Sequence, residues 1–425
     1  MDMASGPTSG ASERDHFIPA RKIDVLDALI KHDTLAGERE LEQFRQFSRL
    51  LGAVYHYEYF DQLERLRNDY FYFNPELDDH SRFDAAKVES AYGDLIETLK
   101  TVLHNANFIE VPHEEIERSH RDHAVVRVNI RTSLDDYREV RFFRRGHRRD
   151  TIEVREWFGW RRSSVELDIY DDVVLLITMK NAANGGKKPS RKPRVRPGAV
   201  LLKYFRNIAS GDLNALFPDV RVVMGLRDQL WIGVPALIGG IPILIKLAST
   251  LTVLIIVAGF YLGLSEAVKD DDISGALAAL GGLVALGGFV LTQWMKFQRQ
   301  SLLHQKTLSD NIYYRNVNNN AGIFDYIIGA AEDQECKEAF LAYYFLLAPG
   351  DGPTGDELDR RIEDWLRQTF KADVDFECGD ALAKLERLAL LRRDGDRLYV
   401  LPLRDALVRL DRIWDDFFPI SSVVR

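Results

Sequence analysis

An α+β membrane protein is the fold class this sequence predicts, and three observations predict it. Two long apolar runs bracket the acidic stretch "SEAVKDDDIS", residues 265–274. Apolar residues keep a helical period from about Ile18 to Asn105 and turn strand-like after Asn107. Past the second apolar run, further helical segments lead to an Asp-Gly turn between two short strand-like runs. The expected order is an N-terminal helical plus antiparallel-sheet domain, a two-helix transmembrane hairpin and a C-terminal helical, winged-helix-like domain.

A chain of 425 residues exceeds one ordinary core, so several domains are expected. The net charge of −9 disfavours a general nucleic-acid binder, which is basic as a rule. Two cysteines, Cys336 and Cys378, build neither a disulfide scaffold nor a four-ligand zinc site. The opening "MDMASGPTSGASERDHF" lacks the apolar core of a signal peptide, and residues 1–15 read as a disordered tail.

The next segment, 16–230, reads as a cytoplasmic α+β domain. Leu41, Phe44, Phe47, Leu51, Val54 and Leu63 mark one amphipathic helix; Val88, Tyr92, Leu95, Leu99 and Val102 mark another. The stretches "YREVRFF", "TIEVREWF", "SVELDIY", "VVLLITM" and "AVLLKYF" read as four or five antiparallel strands. Breaks are expected at Arg145-Gly146-His147 and Asp171-Asp172. Two basic features suggest contact with an anionic surface: Arg144, Arg145, Arg148 and Arg149, and Lys187, Lys188, Arg191 and Lys192 in a linker loop over 181–198.

Residues 231–296 are the expected hairpin. From Ile232 to Leu264 the only charge is Lys246, and from Ile273 to Met295 there is none. Spans at about 242–264 and 273–295 would each reach the roughly 30 Å of a bilayer core. Arg221, Arg227, Lys296, Arg299 and Lys306 flank the pair, so both termini are expected in the cytoplasm. A buried helical hairpin is the alternative, disfavoured by the length of the runs.

Residues 297–350 read as a helical connector broken at "NVNNNAG", whose asparagines cap adjacent helices or line a polar contact. Residues 351–425 carry helices at "GDELDRRIEDWLRQTF" and "CGDALAKLERLALL", the hairpin "LRRDGDRLYVLP" and a last helix. Counting a first helix at "ECKEAFLAYYFLLA", the third is "CGDALAKLERLALL", and Asp373, Asp375, Glu377 and Asp380 make its start acidic, which repels DNA and favours protein contact.

No catalytic motif emerges. His113, His120 and His123 match no metal-ligand spacing, and no metal or cofactor is expected. The first reading is a membrane-anchored adaptor of unknown molecular activity. It would contact the lipid bilayer, a protein partner and a further copy of itself, but no nucleic acid. The second is a membrane-bound enzyme with a polar site of Lys203, Asp212, Asn316 and Asn319.

Three stretches carry a resemblance: "YHYEYFDQLERL", "LLKYFRNIASGDLNALFPDVRVVM" and "LSDNIYYRNVNNNAGIFDYIIGAAEDQECKEAFLAYYFLL". With the apolar segment between the second and third, they resemble the membrane family called domain of unknown function 3754, which includes transmembrane protein 143. The resemblance implies two spans and large polar flanks, and it brings no catalytic residues. Transmembrane protein 143 is assigned to mitochondria. Without a transit peptide here, a bacterial inner membrane is the expected location and the mitochondrial inner membrane its alternative.

Overall fold

The structure is a computed structural model of the chain. It describes residues 14–32, 35, 37–77, 83–112, 114–116, 129–131, 137–156, 161–181, 195–218, 221–223, 314–348 and 350–418, and isolated positions between 255 and 299. The chain forms two compact units, each built from segments distant in sequence: Met1–Glu115, Asp135–Ser210 and Arg315–Arg425 in the first, Ile116–Leu134 and Gly211–Tyr314 in the second.

The first unit opens with helices α1 (Lys22–Ile30), α2 (Glu38–Tyr70) and α3 (Ala85–Asn105). Helix α2 runs 33 residues, about 50 Å at 1.5 Å per residue. Phe44, Phe47, Leu51, Val54, Tyr55 and Tyr59 recur at the three- and four-residue steps that keep one face buried. Helix α3 starts where the Asp84 carboxylate accepts from the Ala86 amide at 3.2 Å, and it buries Leu95, Leu99, Val102 and Leu103. Both helices match the spacing expected of them.

The sheet has five antiparallel strands in the order β1 (Ile109–Glu110), β3 (Tyr137–Glu156), β4 (Arg161–Met179), β5 (Val200–Ala209) and β7 (Asn316–Asn319). In the second unit, β2 (Asn129–Arg131) pairs with β6 (Arg221–Val223). Two expected breaks are corrected here. β3 runs straight through Arg145-Gly146-His147 and β4 through Asp171-Asp172, with Arg145 opposite Asp172 and His147 opposite Tyr170. The polar residues survive inside the strands because Arg145 Nε donates to Asp172 Oδ2 at 2.8 Å, a buried pair that satisfies both charges. Gly146 holds φ +70°, and a Cβ there would lie 2.7 Å from the Asp171 Cβ. Gly146→Ala is therefore expected to cost about 1–3 kcal/mol through left-handed strain and this clash. Urea unfolding measures it, and an unchanged midpoint would remove the argument.

A second correction concerns "NVNNNAG". Asn316–Asn319 is the edge strand, with Asn319 opposite Lys203 and Asn318 opposite Tyr204. The asparagines bond one another: Asn316 Nδ2 donates to Asn319 Oδ1 at 2.9 Å, and Asn318 Nδ2 donates to the Gly322 carbonyl at 2.8 Å. Local side-chain bonds of this kind hold an edge that β-propensity alone would not favour.

Phe143, Val174, Leu176, Val200, Leu202 and Tyr204 join the helices in one core. The Tyr70 hydroxyl ties α2 to β5 by donating to the Val200 carbonyl at 2.9 Å. Helix α4 (Ile323–Leu346) is buried along most of its length. The chain closes with α5 (Gly355–Phe370), α6 (Cys378–Arg387), the hairpin of β8 (Leu391–Asp394) and β9 (Arg397–Val400), and α7 (Leu403–Asp416). Thr354 and Glu357 form a reciprocal capping box at the start of α5. Gly395, at φ +58°, makes the tight turn between β8 and β9.

The transmembrane hairpin is a third correction, and with it the membrane fold class. No described helix is long and apolar enough to cross a membrane. α2, α3 and α4 have the length but are rich in charge: α3 carries Lys87, Glu89, Asp94, Glu97 and Lys100, and α4 carries Asp325, Glu332, Asp333, Glu335, Lys337 and Glu338. A spanning helix needs roughly 20 mostly apolar residues. Most of the two runs expected to span, 242–264 and 273–295, lies outside the described residues.

Candidate functional site

The basic cluster of β3 is not a free cationic surface. Arg145 is 6% exposed, and besides Asp172 it reaches the Ala106 carbonyl at 3.1 Å and covers the Phe17 and Phe108 rings. The Arg144 guanidinium lies 5.0 Å from the Tyr170 ring centre. Arg148 meets Asn207 at 2.8 Å and Asp171 at 3.5 Å, and Arg149 lies 3.4 Å from Asp168. The acids come from β4, which runs antiparallel beside β3. Lys187, Lys188, Arg191 and Lys192 lie outside the described residues, as do His113, His120 and His123.

Of the polar residues singled out as a site, register joins three. Lys203 on β5 faces Leu175 on one side and Asn319 on the other, two positions from Asn316 across the β-irregularity. Burial lowers the Lys203 pKa. Asp212 sits in the short 3₁₀ segment Ser210–Leu216, within the second unit.

Among the described residues, the densest cluster of buried charge joins α4 to α6. Glu335 and Glu338 are three apart on α4; Asp380 and Lys384 are four apart on α6, so each pair shares a helix face. The Lys384 ammonium lies 2.9 Å from Glu335 and 2.7 Å from Asp380, and it also contacts Glu338. Asn107 Nδ2 donates to Glu338 at 2.8 Å and to the His16 carbonyl at 3.0 Å. Burial, opposed by Lys384, pushes the Glu335 carboxyl up to about 7. Burial pulls the Lys384 pKa down, but Glu338, Glu335 and Asp380 outweigh it and raise it. One oxygen from each of the three carboxylates lies within 4.8 Å of the others, the geometry of an oxygen-ligand cation site. Lys384 already serves as their counter-ion, and a metal would have to displace it.

A strap from the N-terminal segment covers the neighbouring face of α4. Lys337 Nζ donates to the carbonyls of Ile18 and Ala20, both at 2.9 Å, and pairs with Asp333 at 2.8 Å. Gln334 accepts from the Ile18 amide at 3.2 Å. Arg14 reaches Glu363 at 2.9 Å and Asp375 at 3.4 Å. The acidic start of α6 thus meets cationic residues of its own chain, and its inner face packs Ala381, Leu382, Lys384 and Leu385 into the core. Sequence reading noted these acids but not their partners, since Arg14 and Asp375 are far apart in the chain.

Two surface features complete the first unit. Leu50 and Ala53 on α2 and Leu407 and Val408 on α7 line an open groove of about 530 Å³, with Arg49 and Asp411 at its sides. Along the same helices Tyr57 packs on Phe417 at 4.4 Å and Phe418 at 5.0 Å, edge-on to Trp414. Phe60, Val408 and Phe418 are half exposed or more. A smaller cavity of about 270 Å³ opens where Tyr72 and Phe73, in the single 3₁₀ turn Phe71–Phe73 after α2, and helix α3 meet the ends of β3, β4 and β5.

Residues 170–322 match the family described as "Protein of unknown function (DUF3754)". That segment holds the second half of β4, all of β5 and the asparagine strand, so the family resemblance read from the sequence holds there; the match does not extend to transmembrane protein 143. No solved structure matches the chain.

Proposed function

We propose that this chain, which carries the family of unknown function DUF3754 over residues 170–322, works by binding a protein partner in the groove between α2 and α7. One observation carries the reading. The aromatic group of Tyr57, Trp414, Phe417 and Phe418 lies beside an apolar groove, on two helices that are otherwise anchored in the core. Tryptophan and tyrosine beside a desolvating pocket are the chemistry that dominates binding energy at protein interfaces.

The occupant is an amphipathic helix of the partner. Its apolar side would lie on Leu50, Ala53, Leu407 and Val408, and its flanking charges would meet Arg49 on one wall and Asp411 on the other. The winged-helix-like order at the C-terminus supports a protein partner over a nucleic acid. Helix α6, which would enter a DNA groove, packs one face against α4, and the acids Asp373, Asp375, Glu377 and Asp380 at its start repel phosphates.

A photo-reactive residue at position 408 of the full chain tests this. The expected result is one cross-linked protein, attached through a helical segment, lost on Trp414→Ala. Removing such an anchor is expected to weaken binding by about 2 kcal/mol, roughly 30-fold. Cross-links confined to residues 419–425 or to a second copy of the chain would overturn the reading, as would cross-linking unaffected by Trp414→Ala.

A further inference from the structure

We propose that the cavity beside α3 binds a small carboxylate carried on a flat aromatic body. The cation that points to it is Arg196, at the entry to β5. Its Nη2 reaches only two carbonyls, Tyr72 at 3.3 Å and Asn74 at 3.4 Å. Its Nε is buried and has no hydrogen-bond partner. No carboxylate among the described residues forms a salt bridge with it, and burial lowers its pKa. Arg196 is only partly buried, but a partly desolvated guanidinium gains from a counter-charge, as Arg145 does from Asp172. A planar fork of donors fits a carboxylate with two parallel bonds.

The surrounding residues specify the rest of the ligand. Arg138 supplies a second cation: it lies 4.7 Å from the Tyr92 ring centre and touches Glu89 only at 3.4 Å, in a pair about half exposed to water. Tyr72, Phe73, Val88, Tyr92 and Met179 give apolar and aromatic walls. The Tyr92 hydroxyl is engaged by Glu139 at 2.7 Å and Thr178 at 3.0 Å, which leaves its ring as a wall. Among the described residues of the lining Glu89 is the one acid, against two arginines, so this lining favours an anion. Gly198, at φ +74°, makes the turn from Arg196 into β5; a Cβ there would lie 2.7 Å from Asn181 Oδ1. A volume of about 270 Å³ equals about nine waters at roughly 30 Å³ each, the size of one aromatic ring with a carboxylate.

Benzoate is the probe, titrated into the full chain by calorimetry and followed by saturation-transfer NMR. Benzyl alcohol keeps the ring without the charge, and acetate keeps the charge without the ring. Benzoate is expected to saturate, with both controls at least about tenfold weaker. Arg196→Gln is expected to weaken benzoate by about 10- to 100-fold, the loss typical of a charge-assisted pair, with the melting temperature close to that of the parent. If Arg196→Gln fails to fold, the comparison of the three probes on the unaltered protein decides. No saturation by about 10 mM benzoate, equal binding of benzyl alcohol or acetate, or full binding by a folded Arg196→Gln protein would each overturn the assignment.

Discussion

Lys384→Met is expected to lower the unfolding free energy by about 3–5 kcal/mol at pH 8, because it strands three carboxylates around a buried apolar side chain. Lys384 bonds Glu335, Glu338 and Asp380 at once, and Glu335 and Glu338 are less than a tenth exposed. The effect depends on pH with a definite sign. Burial raises the Glu335 carboxyl from its ordinary value of 4.5 to about 7, so between those values the folded chain holds a proton that the unfolded chain has released. Its stabilisation is complete below about 4.5 and disappears as pH rises through about 7. Without the ammonium, the Glu335 carboxyl holds its proton to higher pH, and the loss caused by Lys384→Met shrinks in acid. Urea titrations at about pH 5, 7 and 8.5 measure this. A loss under about 1 kcal/mol at pH 8, or one that is equal at all three pH values, would show that the cluster does not bear this charge.

Asp172→Ala is the second large effect, at about 3–5 kcal/mol. Asp172 accepts from Arg145 at 2.8 Å and from Arg206 at 3.2 Å. Its removal leaves the Arg145 guanidinium inside the sheet with one carbonyl and two aromatic rings. Replacing both partners, Arg145→Met with Asp172→Ala, is expected to recover much of the loss, since an apolar pair needs no counter-charge. A double-mutant cycle in urea reads the coupling. A double variant no more stable than Asp172→Ala alone would rule out the buried charge as the cause.

The same pair explains what was legible in the sequence. The helical period of α2 and α3 stood out because each packs one continuous stripe against the core. The strands were found from their β-branched and aromatic runs, but two were cut at their polar centres. A glycine among polar residues, or two adjacent aspartates, normally signals a turn, and only the pairing of β3 with β4 places Arg145 opposite Asp172. The asparagine tract misled for a related reason: asparagine is rare in strands, and its service at a sheet edge depends on β5. In the α4–α6 cluster the spacing on each helix was readable. The meeting of residues 335 and 384 was not, because it is tertiary. The apolar runs gave the strongest periodicity-free signal in the chain, yet the long described helices owe their burial to a protein core. Arg196 left no local trace, since its lack of a carboxylate partner among the described residues is a tertiary fact.

The edge strand Asn316–Asn319 also sets a timetable for synthesis. Asn316 follows Ala209, the last residue of β5, by 107 positions (316 − 209). At about 5–20 residues per second, the ribosome delivers β7 roughly 5–20 seconds after β5 has emerged. Until then the nascent chain presents the β5 side of its sheet as an open template for other strands, and the intervening stretch includes the most apolar part of the sequence. Closure of that edge therefore comes late, and the cell must guard the half-made sheet in the meantime.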